Sequence, residues 1–77
     1  MRDVLTLFQI EAVVDRNGDG KLLSQMDFLV KFQGYDEEHN LWLPYSELRD
    51  NRNLHAYLIQ KRMRSLIPQK FWENYRV

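Results

Sequence analysis

The sequence has no cysteine, only three glycines and two prolines, and no formal net charge. Without thiols there is no disulfide framework and no thiolate-held metal, which fits a reducing compartment. The longest apolar runs are a few residues, so no segment reads as a membrane span, and no signal-peptide pattern opens the chain. Repeats, low-complexity tracts and linkers are missing too, so residues 1–77 are expected to form one domain. What is plentiful is apolar and aromatic: 44% hydrophobic and 13% aromatic residues in a chain of 77 is too rich for a disordered tail. A chain of this length buries only about 60% of its unfolded surface, so the core is expected to be modest.

The zero net charge hides an asymmetry. Residues 1–48 carry four basic and nine acidic side chains, and residues 49–77 carry seven basic and two acidic. The acidic half suits a basic partner and the basic half suits phosphate. Solvation of a helix and tail by Arg and Lys explains the same numbers without any partner.

Periodicity gives three strands and a helix. From Leu5 to Val14, Phe8, Ile10 and Ala12 alternate with Gln9 and Glu11, a strand with one packed face. A second strand runs over Phe28–Phe32, with Phe28, Val30 and Phe32 on one side. Gly34 ends it, Asp36–Asn40 is a polar loop, and Leu41–Leu43 is a short third strand stopped by Pro44. Trp42 is expected to be a buried support, since Trp is highly buried on average. From Asn51 the period changes: Leu54, Tyr57, Leu58 and Lys61 mark an amphipathic helix, capped by Asn51 or Asn53 and ending among Lys61, Arg62 and Arg64. Ser65–Pro68 then bends the chain, leaving Phe71, Trp72 and Tyr75 to pack back or to trail.

Between the first two strands lies Asp15-Arg-Asn-Gly-Asp-Gly-Lys-Leu-Leu23. Asp15, Asn17, Asp19 and Gly20 match the opening of an EF-hand loop. That loop needs a bidentate carboxylate at its twelfth position, where this chain has Met26, and it needs a helix where this chain alternates as a strand. The stretch therefore reads as a hairpin connection turning at Asn17–Gly20. His39 and His55 sit on different elements with no cysteine or spaced carboxylates, which argues against zinc. Asp36, Glu37 and Glu38 lie in an exposed loop and offer no pocket for acid–base chemistry. Neither catalysis nor a cofactor is expected.

The stretch Phe28-Leu-Val-Lys-Phe-Gln-Gly-Tyr-Asp-Glu-Glu-His-Asn-Leu-Trp-Leu-Pro-Tyr-Ser-Glu-Leu48 resembles the chromodomain signature, carried by Leu29, Val30, Lys31, Gly34, Tyr35, Asn40, Trp42, Pro44 and Leu48. Upstream, Phe8-Gln-Ile-Glu-Ala-Val-Val-Asp-Arg-Asn17 is similar to that family's first strand. The resemblance covers about residues 7–62 and leaves 63–77 as an extension. It implies an α+β fold: a small, curved, three-stranded antiparallel sheet of SH3-like type packed against a C-terminal helix. Leu43-Pro44, the stretch Glu47–Leu58 and Leu66–Trp72 further resemble chromodomains at the end of gypsy-type LTR retrotransposon integrases. That likeness implies an excised piece of a larger polyprotein, acting in the nucleus to tether an integration complex to chromatin.

The resemblance also implies a site. Chromodomain readers hold a methylated lysine among three aromatics, whose matching positions are Phe8, Phe32 and Tyr35. Methylation keeps the charge of lysine but removes hydrogen-bond donors, which suits recognition by ring faces. The histone tail, H3 foremost, would lie as an added strand near Leu7, Ile10, His39, Leu43 and Glu47. The departures are specific: Phe32 replaces the usual Trp, Phe8 the usual Tyr, His39 and Leu43 stand for acidic residues, and Glu47 for an Asn. Three alternatives stay open: Phe8 and Phe32 filling the core; nucleic-acid binding through Lys61, Arg62, Arg64, Lys70 and Arg76; and an adaptor docking through the helix with Phe71, Trp72 and Tyr75.

Overall fold

The structure is a computed structural model, and it describes residues 8–18 and 22–75. Three strands, β1 (Ile10–Asn17), β2 (Asp27–Phe32) and β3 (Leu41–Pro44), form one antiparallel sheet in the order β1-β2-β3. A helical turn α1 (Tyr45–Leu48) follows β3 directly, and the main helix α2 spans Arg52–Gln60. Short 3-10 segments occupy Leu23–Gln25, Glu37–His39, Arg64–Leu66 and Gln69–Tyr75. This is the α+β arrangement that the resemblance implies, a three-stranded antiparallel sheet packed against a C-terminal helix.

β2 carries the core. Its alternation puts Phe28, Val30 and Phe32 on the inner face, all buried, as the period of two requires. Val13 of β1, Met26, Leu48 of α1 and Leu54, Tyr57 and Leu58 of α2 complete the cluster with Ile67 from beyond the helix. Phe28 is its hub: its ring meets Tyr57 edge-on at 6.2 Å and tilts against Tyr45 at 6.4 Å. Asn51 caps α2, its side-chain oxygen accepting from the Asn53 backbone N–H at 2.7 Å.

Four sequence expectations need correction. β1 begins at Ile10 rather than Leu5 and runs on to Asn17; Phe8 and Gln9 precede it, and residues 5–7 lie outside the described residues. Its register slips between Ile10 and Ala12 and again between Val13 and Asp15, so two bulges shift the inward phase onto Val13 and curve the strand. Asn17 still pairs, with Asp27, and the chain leaves the strand at Gly18, whose φ of +113° suits glycine; residues 19–21 lie outside the described residues. Met26, which breaks the calcium pattern, is a core residue lying against Gly18.

Trp42 is not a core support: it stands opposite Leu29 on the outer face of the sheet, 48% exposed. Its neighbours Leu41 and Leu43 take the inward register positions instead, opposite Val30 and Phe28. Tyr45–Leu48 is a helical turn that delivers Leu48 to the core.

Burial raises the Tyr45 phenol above its ordinary value, with Arg49 opposing and Asp50 reinforcing the shift; burial raises Tyr57 likewise, with Arg16 opposing. A group raised in the folded state favours folding below its unfolded pKa and loses that contribution as pH climbs through the folded value. Stability should therefore hold up to about pH 10 and fall above it. The Tyr45 hydroxyl also donates to the Leu66 carbonyl at 2.8 Å, a bond its phenolate cannot make. Urea melts from pH 8 to 11.5 should show the decline, and Tyr45→Phe should make it shallower.

Candidate functional site

The first site-building event is local. Gly34 adopts φ +86°, and the Tyr35 N–H closes the turn on the Phe32 carbonyl at 3.2 Å, folding Tyr35 back beside the end of β2. Lys31 pins this turn to β1: its Nζ lies 2.8 Å from the Tyr35 carbonyl and 3.0 Å from Glu11 Oε1. Across the sheet, Ile10 pairs with Phe32 and the Gln33 N–H donates to the Gln9 carbonyl at 2.8 Å, which sets Phe8 at the same corner.

The three aromatics meet there. Phe8 and Phe32 have ring centroids 5.8 Å apart, tilted by 60°, and Phe8 and Tyr35 are 5.5 Å apart at 76°. They border a cleft of about 390 Å³ completed by Glu38, His39 and Leu41. A cation is drawn to a ring face within ~6 Å of its centroid, and all three rings line this one cleft. Phe32 is 4% exposed and belongs to the core, so it is the floor of the cleft as well as part of the packing. Phe8 and Tyr35, at 37% and 42%, are the open walls.

His39 is brought in by the 3-10 turn Glu37–His39. Its ring lies 5.4 Å from Tyr35, and its Nδ1 lies 2.9 Å from an Asp36 carboxylate oxygen, which can only accept. The sequence reads Glu38 as a loop acid without a pocket and does not single out Leu41, yet both line the cleft. The signal for Leu41 was available, since it shares the inward phase of Leu43; that for Glu38 was not, because a one-turn helix has no period to read.

A second cleft, of about 360 Å³, adjoins the first through Phe8 and is lined also by Gln9, Ile10, Asn51 and Asn53. Asn53 donates from its side-chain amide to the Ile10 carbonyl at 3.2 Å, tying α2 to the start of β1. Of the groove candidates, Ile10 lines this cleft and His39 the aromatic one; Leu43 packs on the core and Glu47 is half-buried in α1. Leu7 lies outside the described residues, as does Arg76.

The candidate phosphate ligands are partly committed elsewhere. Lys61 sits over the Tyr57 ring at 5.7 Å, Lys70 lies 3.8 Å from Asp50, and Arg64 donates to the Tyr75 carbonyl at 2.6 Å. Arg62 is exposed just past the α2 C-cap, with φ +62°. Phe71 and Tyr75 pack back against the core periphery, whereas Trp72 stays half-exposed. His55, which the sequence leaves without a role, is fully buried. Its Nε2 donates to the Arg49 carbonyl at 2.7 Å, and in the neutral ring Nδ1 accepts from the Tyr75 hydroxyl at 2.9 Å.

The Lys31 clamp gives a test of how the site is held. Lys31→Met removes an ion pair with a partly exposed Glu11, worth about 0–1 kcal/mol, along with the charged bond to the Tyr35 carbonyl. Global stability should drop by about 1–2 kcal/mol. The Tyr35 amide should exchange at least tenfold faster than in the parent, while amides of α2 slow or quicken only with global stability.

Neither the comparison with curated proteins nor that with solved structures found a match. The family model of the Chromo (CHRromatin Organisation MOdifier) domain matches residues 8–61, well over half of the chain. Chromodomains are non-catalytic modules that generally bind histone tails or chromatin proteins. The fold, the aromatic corner between β1 and the end of β2, and this match agree, and the chain belongs to the chromodomain family.

Proposed function

We propose that this chromodomain tethers its parent protein to chromatin in the nucleus by receiving a methylated lysine of a histone tail among Phe8, Phe32 and Tyr35. The observation that carries the reading is the convergence of these three rings on one cleft whose remaining lining includes the Glu38 carboxylate. Ring faces supply about 0.5–2 kcal/mol each to a desolvated cation. The acid adds long-range attraction for a basic tail. Because Phe8 borders both clefts, a tail running past Gln9, Ile10 and Asn53 as an added strand can place its lysine in the aromatic corner.

The narrower reading, tethering of a gypsy-type retrotransposon integrase, is supported by the likeness of Glu47–Leu58 and Leu66–Trp72 in sequence. Titration of the labelled domain with histone H3 tail peptides, methylated and unmethylated at each lysine, tests the binding reading. Saturable amide shifts at Phe8, Phe32 and Tyr35 with a methylated peptide are expected. A flat response to every peptide would refute it.

A further inference from the structure

We propose a second binding site on the C-terminal extension, a cleft that takes one large apolar side chain of an acidic linear peptide. The cleft, of about 320 Å³, is lined by Arg64, Ser65, Ile67, Trp72 and Tyr75. Every one of these residues lies beyond the segment matched by the family model, and the aromatic corner uses none of them. The site is therefore independent of the methyl-lysine reading.

Its walls are fixed by internal bonds. The Trp72 indole N–H donates to the Ile67 carbonyl at 2.8 Å, Arg64 donates to the Tyr75 carbonyl at 2.6 Å, and the Tyr75 hydroxyl is engaged by buried His55 at 2.9 Å. Short 3-10 segments need such bonds to hold a shape, and a prearranged cleft spares a ligand the cost of ordering it. Yet the extension does not close on itself: Trp72 remains 47% exposed although its only donor is satisfied within the chain. An indole anchored at its polar tip with an open ring is the kind of side chain that dominates binding surfaces.

Charge selects the occupant. From residue 61 to residue 75 the chain carries Lys61, Arg62, Arg64 and Lys70 against Glu73, and Lys70 also lies 3.8 Å from Asp50. Arg64, at the cleft itself, commits one nitrogen to Tyr75 and keeps further donors for a carboxylate. Phosphate would be drawn by the same charges. A nucleic-acid base, however, brings polar edges to a cleft where the Trp72 N–H and the Tyr75 hydroxyl are already used. An apolar side chain needs no such partners, so an acidic peptide with an apolar anchor fits both the floor and the rim.

The test is selection of a random heptapeptide phage library on the full chain. The expected consensus is one Phe, Leu, Met or Trp flanked by Asp or Glu. The consensus peptide should shift the Trp72 emission in a Trp42→Phe background. Ser65→Glu, which adds a carboxylate at an exposed lining position, should weaken it about tenfold. Trp72→Ala should weaken it about 30-fold. Tyr35→Ala should leave it unchanged, so failure here is separable from failure at the aromatic corner. No consensus, a basic or wholly polar consensus, or unaltered binding by Ser65→Glu with its circular dichroism intact would overturn the proposal. A Trp72 response to oligouridine but not to the acidic peptide would overturn it in favour of nucleic acid.

Discussion

Tyr35→Ala should abolish the preference of this domain for a methylated over an unmethylated histone tail while leaving the protein folded. Tyr35 is 42% exposed and outside the core cluster, and its backbone contacts to Lys31 and Phe32 survive truncation of the ring. Substitutions of that kind cost about 0.5 kcal/mol, with some addition here for lost contact with Phe8. The binding loss is larger, because one ring face of a three-walled cleft is worth up to about 2 kcal/mol, roughly 30-fold in affinity. Tyr35→Phe keeps the ring and should retain most of the preference. Phe32→Ala is the contrasting case: that ring is core, and its removal should cost about 3–5 kcal/mol and take the fold with it. Calorimetric titration with urea melts on the same three variants separates the effects. Equal peptide affinities for Tyr35→Ala and the parent would place lysine recognition elsewhere.

The contrast between Phe32 and Tyr35 also shows what the sequence could reveal. The alternation Phe28, Val30, Phe32 was legible because β2 is the central strand and follows the period without interruption. β1 was legible in kind but not in phase, since its two bulges each shift the pairing by one residue, and nothing in Ile-Glu-Ala-Val-Val announces where they fall. Trp42 was misplaced by weighing residue type over register: it lies between two apolar residues of a four-residue strand, and only one face of that strand meets the core.

The aromatic corner was legible as a set through the family resemblance, but not in its division of labour. Phe32 is buried by the strand it ends, while Tyr35 is turned out by Gly34. Residues beyond α2 were the least legible. Ile67 before Pro68 reads as a turn residue, yet it is buried, and 3-10 segments give no amphipathic period to follow.

That last region makes the second large prediction. A chain ending at residue 61, where the family match stops, should be far less stable than the full chain, whose stability at 77 residues is roughly 4–12 kcal/mol. Ile67 is 2% exposed within the core cluster, and removing a buried side chain of its size costs about 2–5 kcal/mol. Met63, Leu66, Phe71 and Tyr75 also pack against the core. Their loss also strips the Tyr45 hydroxyl of its acceptor at Leu66 and buried His55 of Tyr75. A lost hydrogen bond costs about 0.5–1.5 kcal/mol net, and here two go at once. Together these losses rival the whole stability of the domain, so residues 1–61 should show little cooperative unfolding in urea, whereas residues 1–75 should melt close to the parent. A sharp transition near the parental midpoint for residues 1–61 would mean that the extension rests on a domain already complete. Its absence would make the extension part of the chromodomain's own core in this protein.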